Sequence, residues 1–330
     1  MTIASYYPWQ HTQAEYFSRL MTEDQLAHAL LLTGPAGTGK HNFARTLSMA
    51  MVCQQAQAMA QPCGVCKHCL LMQAQTYPDF ISLHAEKNVI SVDQVRELIA
   101  KLYLTRHFAA LKVAVIEQAD TLNTNAANAL LKTLEEPPQY THIILVTDAP
   151  MALPATIRSR CQQIQFNPPD EQQSIEWLQA QAGGIDWQPL LRVAQGAPLK
   201  ALEYHQTELL DQRISVMRSF LSVFEYDANP MQVAKTLEAV PYAMVSLWIQ
   251  SLTLDMLRIK AQENPQSIEN PDFYRPLLAL ANKIPNALLI QLWDQLLEHK
   301  KIYDVSLNYR MFLETILITM HKQSIKAAHK

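Results

Sequence analysis

The chain has 330 residues, of which 49% are hydrophobic and 17% are charged. This balance excludes a disordered chain, and the length exceeds one ordinary hydrophobic core, so two or three domains are expected. The net charge of −3 argues against a protein that holds nucleic acid by bulk positive charge. No signal peptide or bilayer-crossing apolar run of about 20 residues is visible, which predicts a cytoplasmic protein without membrane contact.

The first half of the chain alternates strand-like and helix-like segments. Apolar runs of strand length occupy residues 29–33, 112–116 and 142–147. Apolar residues at helical spacing follow the first run, and a second helical pattern stops at Pro137 and Pro138. This alternation predicts a mostly parallel sheet covered by helices.

The pattern changes at a proline pair, Pro168 and Pro169, which indicates a domain junction. A small helical module extends from there to about residue 201. Long amphipathic stretches then occupy residues 214–224, 242–260 and 287–299. The C-terminal third is therefore predicted to be an all-helical bundle.

A glycine-rich turn follows the first strand. The segment from Gly34 to Lys40 fits the first seven positions of the phosphate loop G-x-x-x-x-G-K. Glycine lets the backbone N–H groups curl toward phosphate oxygens, and the next helix directs its positive end at the same place. The predicted nucleotide contacts in this loop are Gly34, Gly37, Thr38, Gly39 and Lys40. The alternative is a tight turn with a solvated lysine.

Two departures from an active nucleotide site predict impaired hydrolysis. His41 stands where a Ser or Thr hydroxyl would ligate magnesium, and imidazole is a poor ligand for that ion. The second strand is followed by Glu117 and Gln118 instead of Asp and Glu, so the general base is missing. A polar strand end without function is the alternative. Glu117 and Thr147 complete the predicted site, where ATP binding is expected to be weak or absent.

Four of the five cysteines have metal-ligand spacing: Cys53, Cys63, Cys66 and Cys69. Four thiolates form the donor set of a closed structural zinc site, here stapling an insert over 53–69 that is too short for a core of its own. Free buried thiols and a redox C-x-x-C pair are the alternatives, and the redox pair leaves Cys53 unused. His68 is expected to be a solvated neighbour, although it could replace one thiolate.

The segment 156–161, Thr-Ile-Arg-Ser-Arg-Cys, follows the third strand. Together with Tyr7-Pro8-Trp9, the cysteine cluster and the run NALLKTLEEPP at 128–138, it resembles the delta-prime family of bacterial DNA polymerase III clamp-loader subunits, within the AAA+ class. The LLKTLEEPP run is also similar to the gamma/tau motor subunits. Leu199 stands where those motor subunits carry a second sensing arginine, which favours a subunit that does not hydrolyse ATP.

The resemblance implies an α/β P-loop (AAA+) domain with a parallel sheet and a zinc-binding insert at residues 1–166. It further implies a small helical lid domain at 167–207 and an all-α collar, or oligomerisation domain, at 208–330. The implied function is that of a non-hydrolysing stator in a hetero-pentameric ring with gamma/tau motor subunits and a delta subunit. Arg160 would serve as an arginine finger in a neighbour's ATP site.

Through the complex, such a subunit would reach the sliding clamp and primed DNA, at the nucleoid with the replisome, without polymerase activity of its own. Two other functions stay open. One is an active clamp-loader ATPase of the gamma/tau type, in which His41 and Glu117 are tolerated variants. The other is a zinc-dependent nucleic-acid-binding module, which the acidic composition disfavours. For Arg158 and Arg160, the plain alternative is an isolated surface charge.

Overall fold

The computed structural model describes residues 5–56, 58–86, 88–108, 111–207, 209–225, 228–262, 267–302 and 309–328. The chain divides into two compact units, residues 1–202 and 203–330. In these described ranges, no helix is both long and apolar enough to cross a membrane.

The first unit is built on a five-stranded sheet. Its strands are β1 (Ala29–Thr33), β2 (Phe80–Leu83), β3 (Lys112–Ile116), β4 (Thr141–Thr147) and β5 (Gln162–Gln165). They lie in the order β2–β3–β4–β1–β5, and every neighbouring pair is parallel. The predicted parallel sheet is therefore confirmed.

Helices cover both faces of this sheet. They are α1 (His11–Thr22), α2 (Lys40–Val52), α3 (Lys67–Gln73), α4 (Val92–Tyr103), α5 (Thr124–Glu135) and α6 (Ala155–Arg158). Leu30 and Leu32 of β1 pack in one core with residues of α1 and α2, whereas Leu31 packs in a second core with residues of α4 and α5. Because both faces are buried, the central strands are continuous apolar runs, which is why the sequence predicted them.

The two edge strands, β2 and β5, were not predicted. In β5 partly buried residues alternate with exposed ones, and three of its four residues are glutamine. In β2 only Leu83 is buried. An edge strand needs fewer apolar residues than a central one, so its sequence carries a weaker signal.

Three short helices follow β5: α7 (Glu171–Gln181), α8 (Trp187–Val193) and α9 (Pro198–Gln206). The Asp170 carboxylate caps α7 by accepting a hydrogen bond from the backbone N–H of Gln173. Leu178, Trp187 and Leu190 are buried and form the interior of this small module. The division into a lid at 167–207 and a collar at 208–330 stays a prediction.

The second unit contains helices and the turns between them, and no strand, in its described residues. Its helices are α10 (Leu209–Glu225), α11 (Pro230–Leu237), α12 (Tyr242–Lys260), α13 (Tyr274–Lys283), α14 (Asn286–Ile302) and α15 (Tyr309–Ala328). One hydrophobic core joins these helices, with Phe220, Trp248 and Leu289 among its members. The buried Asp255 carboxylate accepts hydrogen bonds from the backbone N–H groups of Glu269 and Asn270, which fixes the chain before α13. The predicted all-helical C-terminal bundle is confirmed.

Candidate functional site

The glycine-rich loop after β1 has a backbone that suits glycine. Gly34, Gly37 and Gly39 have φ angles of 143°, 82° and 87°. A Cβ atom on Gly34 would lie 2.0 Å from the carbonyl oxygen of Phe166, where the chain leaves β5. Gly39 is the N-cap of α2, so the loop leads directly into a helix N-terminus, the arrangement that binds phosphate in P-loop proteins.

Lys40, the lysine of this loop, is paired inside the chain. Its side chain is 1% exposed, and its Nζ lies 2.7 Å from Oδ1 of Asp148. The same ammonium donates a hydrogen bond of 2.8 Å to the carbonyl oxygen of Pro35, and the Thr38 hydroxyl oxygen lies 3.5 Å away. A nucleotide phosphate at this loop would therefore compete with a carboxylate for the lysine.

The loop is also held from two sides by backbone and indole contacts. The indole N–H of Trp9 and the side-chain amide of Gln10 donate to the carbonyl oxygen of Thr38 at 2.9 and 3.0 Å. On another side, the backbone N–H of Leu199 in α9 donates to the carbonyl oxygen of Gly37 at 3.2 Å. Leu199, the residue in the place of a sensing arginine, thus contacts the loop through its backbone.

His41 and Glu117, the two departures from an active site, lie against each other. Nδ1 of His41 is 3.5 Å from Oε2 of Glu117, and both side chains are partly exposed. The hydrogen bond from His41 lowers the pKa of the Glu117 carboxyl, against the opposing effect of burial. The histidine therefore supplies a donor where a metal-binding hydroxyl would supply an oxygen ligand.

Thr147, at the end of β4, is buried and its hydroxyl is in use. It donates a 2.6 Å hydrogen bond to Oδ1 of Asp120 and accepts one from the backbone N–H of Ala149. Gln118, the neighbour of Glu117, has a left-handed backbone with φ of 52° and begins a short 3-10 turn that contains Asp120. The nucleotide-site residues predicted from separate motifs thus meet at the carboxyl edge of the sheet.

The four clustered cysteines could hold a metal ion. Their Sγ atoms all lie within 4.8 Å of one another, with Cys53 to Cys66 at 4.0 Å and Cys63 to Cys69 at 3.9 Å. A tetrahedral zinc with Zn–S bonds of about 2.3 Å places its sulfurs about 3.8 Å apart, so the donor set and spacing fit zinc. A disulfide requires about 2.05 Å, and all four thiols are free.

Backbone N–H groups surround the cysteine sulfurs. The N–H groups of Cys63, Cys66 and Cys69 each approach the preceding cysteine's Sγ at 3.4 Å. Donation from the backbone of Val65 and Cys66 lowers the pKa of the Cys63 thiol to about 6, whereas burial raises the pKa of Cys69. Such donors stabilise a thiolate and are typical of the surroundings of a metal ligand.

His68 is not the solvated neighbour that the sequence predicted. The side chain is buried, and Nδ1 lies 2.7 Å from the carbonyl oxygen of Val52. Its ring packs against Tyr77 and Phe108, with centroid distances of 5.3 and 4.8 Å. The sequence interpretation was wrong because these aromatic partners come from outside the cysteine cluster.

Arg160 lies in the turn between α6 and β5. Its Nε donates to Oε1 of Glu135 at 2.7 Å, Nη2 contacts the same oxygen, and Nη1 donates to the carbonyl oxygen of Thr156 at 2.8 Å. Its side chain is 33% exposed. Arg158 instead lies beside the sulfur of Met151, so the two arginines have different surroundings.

Arg160 and the phosphate loop lie at opposite ends of the parallel strands. β1 and β5 are parallel and paired from Leu30 with Gln162 to Thr33 with Gln165. Arg160 precedes β5, whereas the phosphate loop follows β1, so the length of a strand, roughly 13–17 Å, separates the two positions. Arg160 is therefore remote from the phosphate loop of its own chain.

The sheet order and the loop after β1 define the class to which this chain belongs, the P-loop proteins of the AAA+ type. Residues 9–170 match the family described as "DNA polymerase III, delta subunit", and residues 207–322 match "DNA polymerase III, delta subunit, C terminal". The chain belongs to the family of DNA polymerase III delta-prime subunits.

Individual relatives agree with this assignment. The delta-prime subunit of Pseudomonas aeruginosa is 33% identical over 326 residues, covering 96% of this chain and 97% of its own length. That of Escherichia coli is 34% identical over 295 residues, covering 88% and 87%. The tau/gamma subunit of Haemophilus influenzae is 35% identical over 158 residues, but this match covers 48% of this chain and 23% of that subunit.

Two carboxylates in these sites were missed by sequence reasoning. Asp148 directly follows Thr147, and Glu135 lies inside the LLKTLEEPP run. Each pairs with a cation distant in sequence, Lys40 and Arg160 respectively. Motif spacing identified the cations, but only the folded sheet brings their partners to them.

Proposed function

We propose that this chain is a non-hydrolysing stator of a clamp loader, and that Arg160 completes the ATP site of a neighbouring motor subunit. The observation that carries the proposal is the position of Arg160 at the amino-terminal end of the strands, remote from the phosphate loop of its own chain. An arginine there serves a nucleotide on another chain. It would stabilise the negative charge that develops on the transferred phosphoryl group, an effect worth roughly 10³–10⁵ in rate.

The chain's own phosphate loop supports the non-hydrolysing part of this proposal. Lys40 is paired with Asp148, His41 replaces the magnesium-binding hydroxyl, and Gln118 replaces the general base. ATP binding at this loop is accordingly weak or absent, and hydrolysis there is negligible.

The family membership supports a place in a larger assembly. The proposed partners are gamma/tau motor subunits and a delta subunit in a hetero-pentameric ring, with the sliding clamp and primed DNA reached through that complex. Residues 208–330 would form a collar that holds the ring together, and residues 167–207 would form the lid domain. The chain would act in the cytoplasm, at the nucleoid with the replisome, and would have no polymerase activity of its own.

The four-cysteine site is proposed to hold structural zinc. The sulfur separations of 3.9 and 4.0 Å and the surrounding N–H donors support this assignment. We expect one zinc per chain, lost with Cys66→Ser, and faster proteolysis within residues 53–69 after the loss. Metal analysis and limited proteolysis measure both. Full zinc content in the Cys66→Ser variant would contradict the assignment.

The test of the stator proposal is reconstitution of the ring with Arg160→Ala. The expected result is an intact complex whose ATP hydrolysis at the neighbouring site falls by about 10³-fold or more. Arg158→Ala is the matched control, because it removes the same charge two residues away. Among the described residues, the Arg158 guanidinium donates a hydrogen bond only to the Met151 sulfur. Unchanged hydrolysis in an assembled Arg160→Ala complex would contradict the proposal.

An active ATPase of the gamma/tau type is the second candidate. It is favoured by the retained glycine φ angles, by Lys40 in the loop and by the similarity to a tau/gamma subunit. ATP turnover by the isolated chain that disappears with Lys40→Ala would support this candidate. Absence of turnover by the isolated chain, with turnover on adding motor subunits, would support the stator.

A further inference from the structure

The carboxylate that holds Arg160 belongs to a rigid part of the fold. Glu135 is the last residue of α5, and Leu130 and Leu134 of that helix are fully buried in the core. Nε2 of His28, just before β1, lies 2.9 Å from the carbonyl oxygen of Leu134, which fixes the end of the helix against the sheet. The position of the Glu135 backbone is thus set by the core.

The contacts of Arg160 leave part of its guanidinium available. A guanidinium has five N–H donors, and three are in use: Nε–H and one on Nη2 toward Glu135, and one on Nη1 toward the carbonyl oxygen of Thr156. In the part of the chain that the structure describes, the remaining two N–H groups, one on each terminal nitrogen, have no partner. Two N–H groups on adjacent nitrogens match the spacing of two phosphate oxygens.

The pair contributes little to the stability of the fold. Both side chains are partly exposed, 33% for Arg160 and 49% for Glu135, and ion pairs of this kind add little to the free energy of unfolding. An unpaired arginine, by contrast, samples many rotamers. The contact limits those rotamers, so its main effect is on where the guanidinium lies.

We propose that Glu135 is a positioning residue for Arg160, and that it presents the two unused N–H groups of the guanidinium to the phosphate oxygens of a nucleotide on a neighbouring chain. The inference rests on the proposed function, because it needs Arg160 to act on that nucleotide. Glu135 itself touches no part of the nucleotide. It acts through the arginine by fixing one side of the guanidinium while the other side binds phosphate.

The test uses the reconstituted complex with Glu135→Ala, Glu135→Gln and Arg160→Ala. We expect Glu135→Ala to lower kcat for ATP hydrolysis about 10-fold, with a smaller change in KM. The reason is that the arginine samples more rotamers without the carboxylate, so its guanidinium is less often in the productive position. Glu135→Gln keeps an oxygen that accepts the arginine's hydrogen bonds, so it recovers most of the activity. Adding Glu135→Ala to Arg160→Ala produces no further loss, since the carboxylate acts only through the arginine.

Glu136→Ala is the matched control. Glu136 is the next carboxylate along the chain, it is exposed, and its side chain makes no hydrogen bond or ion pair within the described ranges. We expect this variant to keep wild-type kcat. Alanine favours helix, so α5 is expected to form in every variant, and thermal unfolding with size-exclusion chromatography confirms folding and assembly. Glu135→Leu repeats the loss of the acceptor if the alanine variant assembles poorly.

The outcomes separate this inference from the proposed function. If Arg160→Ala abolishes hydrolysis but Glu135→Ala behaves like Glu136→Ala, the positioning role is wrong and the stator role stands. A rise in kcat with Glu135→Ala also overturns the inference, because the carboxylate would then restrain the arginine. If Arg160→Ala itself has no effect in an assembled complex, the proposed function fails and this inference fails with it.

Discussion

Two cation–carboxylate pairs lie at opposite edges of the same sheet, Lys40 with Asp148 and Arg160 with Glu135. The lysine side chain is 1% exposed, and its ammonium is surrounded by a carboxylate, a carbonyl and a hydroxyl of its own chain. The arginine side chain is 33% exposed and keeps two N–H donors without a partner among the described residues. One positive charge is therefore satisfied within the chain, and the other retains capacity for a ligand.

The glycine loop after β1 packs against three separate segments of the chain. Cβ atoms on Gly34, Gly37 and Gly39 would collide with the Phe166 carbonyl, the Lys200 side chain and the Tyr7 ring, at 2.0, 2.7 and 2.6 Å. The loop thus joins the N-terminal segment, the end of β5 and the start of α9. Its glycines are needed for packing even if no nucleotide binds.

The largest effect on stability is expected from Gly34→Ala. The new Cβ would strike a backbone carbonyl and force a side chain into a φ of 143°, which costs roughly 2–4 kcal/mol. Gly183→Ala is the control, because nothing lies within 4 Å of its Cβ position. Urea unfolding measures both free energies. Equal urea midpoints for the two variants would show that close packing around Gly34 does not contribute to stability.

A smaller effect, about 10-fold in affinity, is expected for ATP binding when Asp148→Ala removes the carboxylate beside Lys40. Phosphate then meets no competing negative charge at the lysine. Titration with a fluorescent ATP analogue measures the change, and Asp93→Ala, at an exposed surface pair, is the control. Unchanged or weaker binding in the Asp148 variant would mean that Asp148 does not compete with ATP for Lys40.

The smallest effect concerns His41→Ala. The hydrogen bond from His41 holds the pKa of Glu117 below its usual value, so removal of the imidazole should raise that pKa. A lowered folded pKa stabilises the protein above the unfolded value, and this contribution is lost as pH falls through the folded pKa. Because both groups are partly exposed, it is below about 1 kcal/mol. NMR titration of Glu117 tests this, and an unchanged pKa would exclude the contact.

The sequence predicted the fold best where burial is complete. β1, β3 and β4 are apolar runs because helices cover both faces of the sheet, and the C-terminal helices show amphipathic spacing. β2 and β5 were missed because edge strands carry polar residues. Their pairing with β3 and β1 depends on contacts distant in sequence, which no local pattern records.

For the candidate sites, the sequence identified residues with fixed motif spacing, namely the phosphate loop, the cysteine cluster and Arg160. It did not identify what those residues contact. Asp148 and Glu135 reach their cations only after the strands are paired, and His68 is buried by aromatic residues that lie outside its motif. Motif spacing is local chemistry, whereas charge compensation and burial are properties of the fold.

In the proposed function, this chain acts through Arg160 on ATP held by another subunit, and not on ATP in its own loop. The most direct measurement is the ATPase rate of the reconstituted complex carrying either Arg160→Ala or Lys40→Ala in this chain. We predict that Arg160→Ala lowers hydrolysis at the neighbouring site by about 10³-fold or more, while the assembled Lys40→Ala complex keeps its rate. Loss of hydrolysis with Lys40→Ala and retention with Arg160→Ala would show that the chain's own loop, and not Arg160, serves hydrolysis.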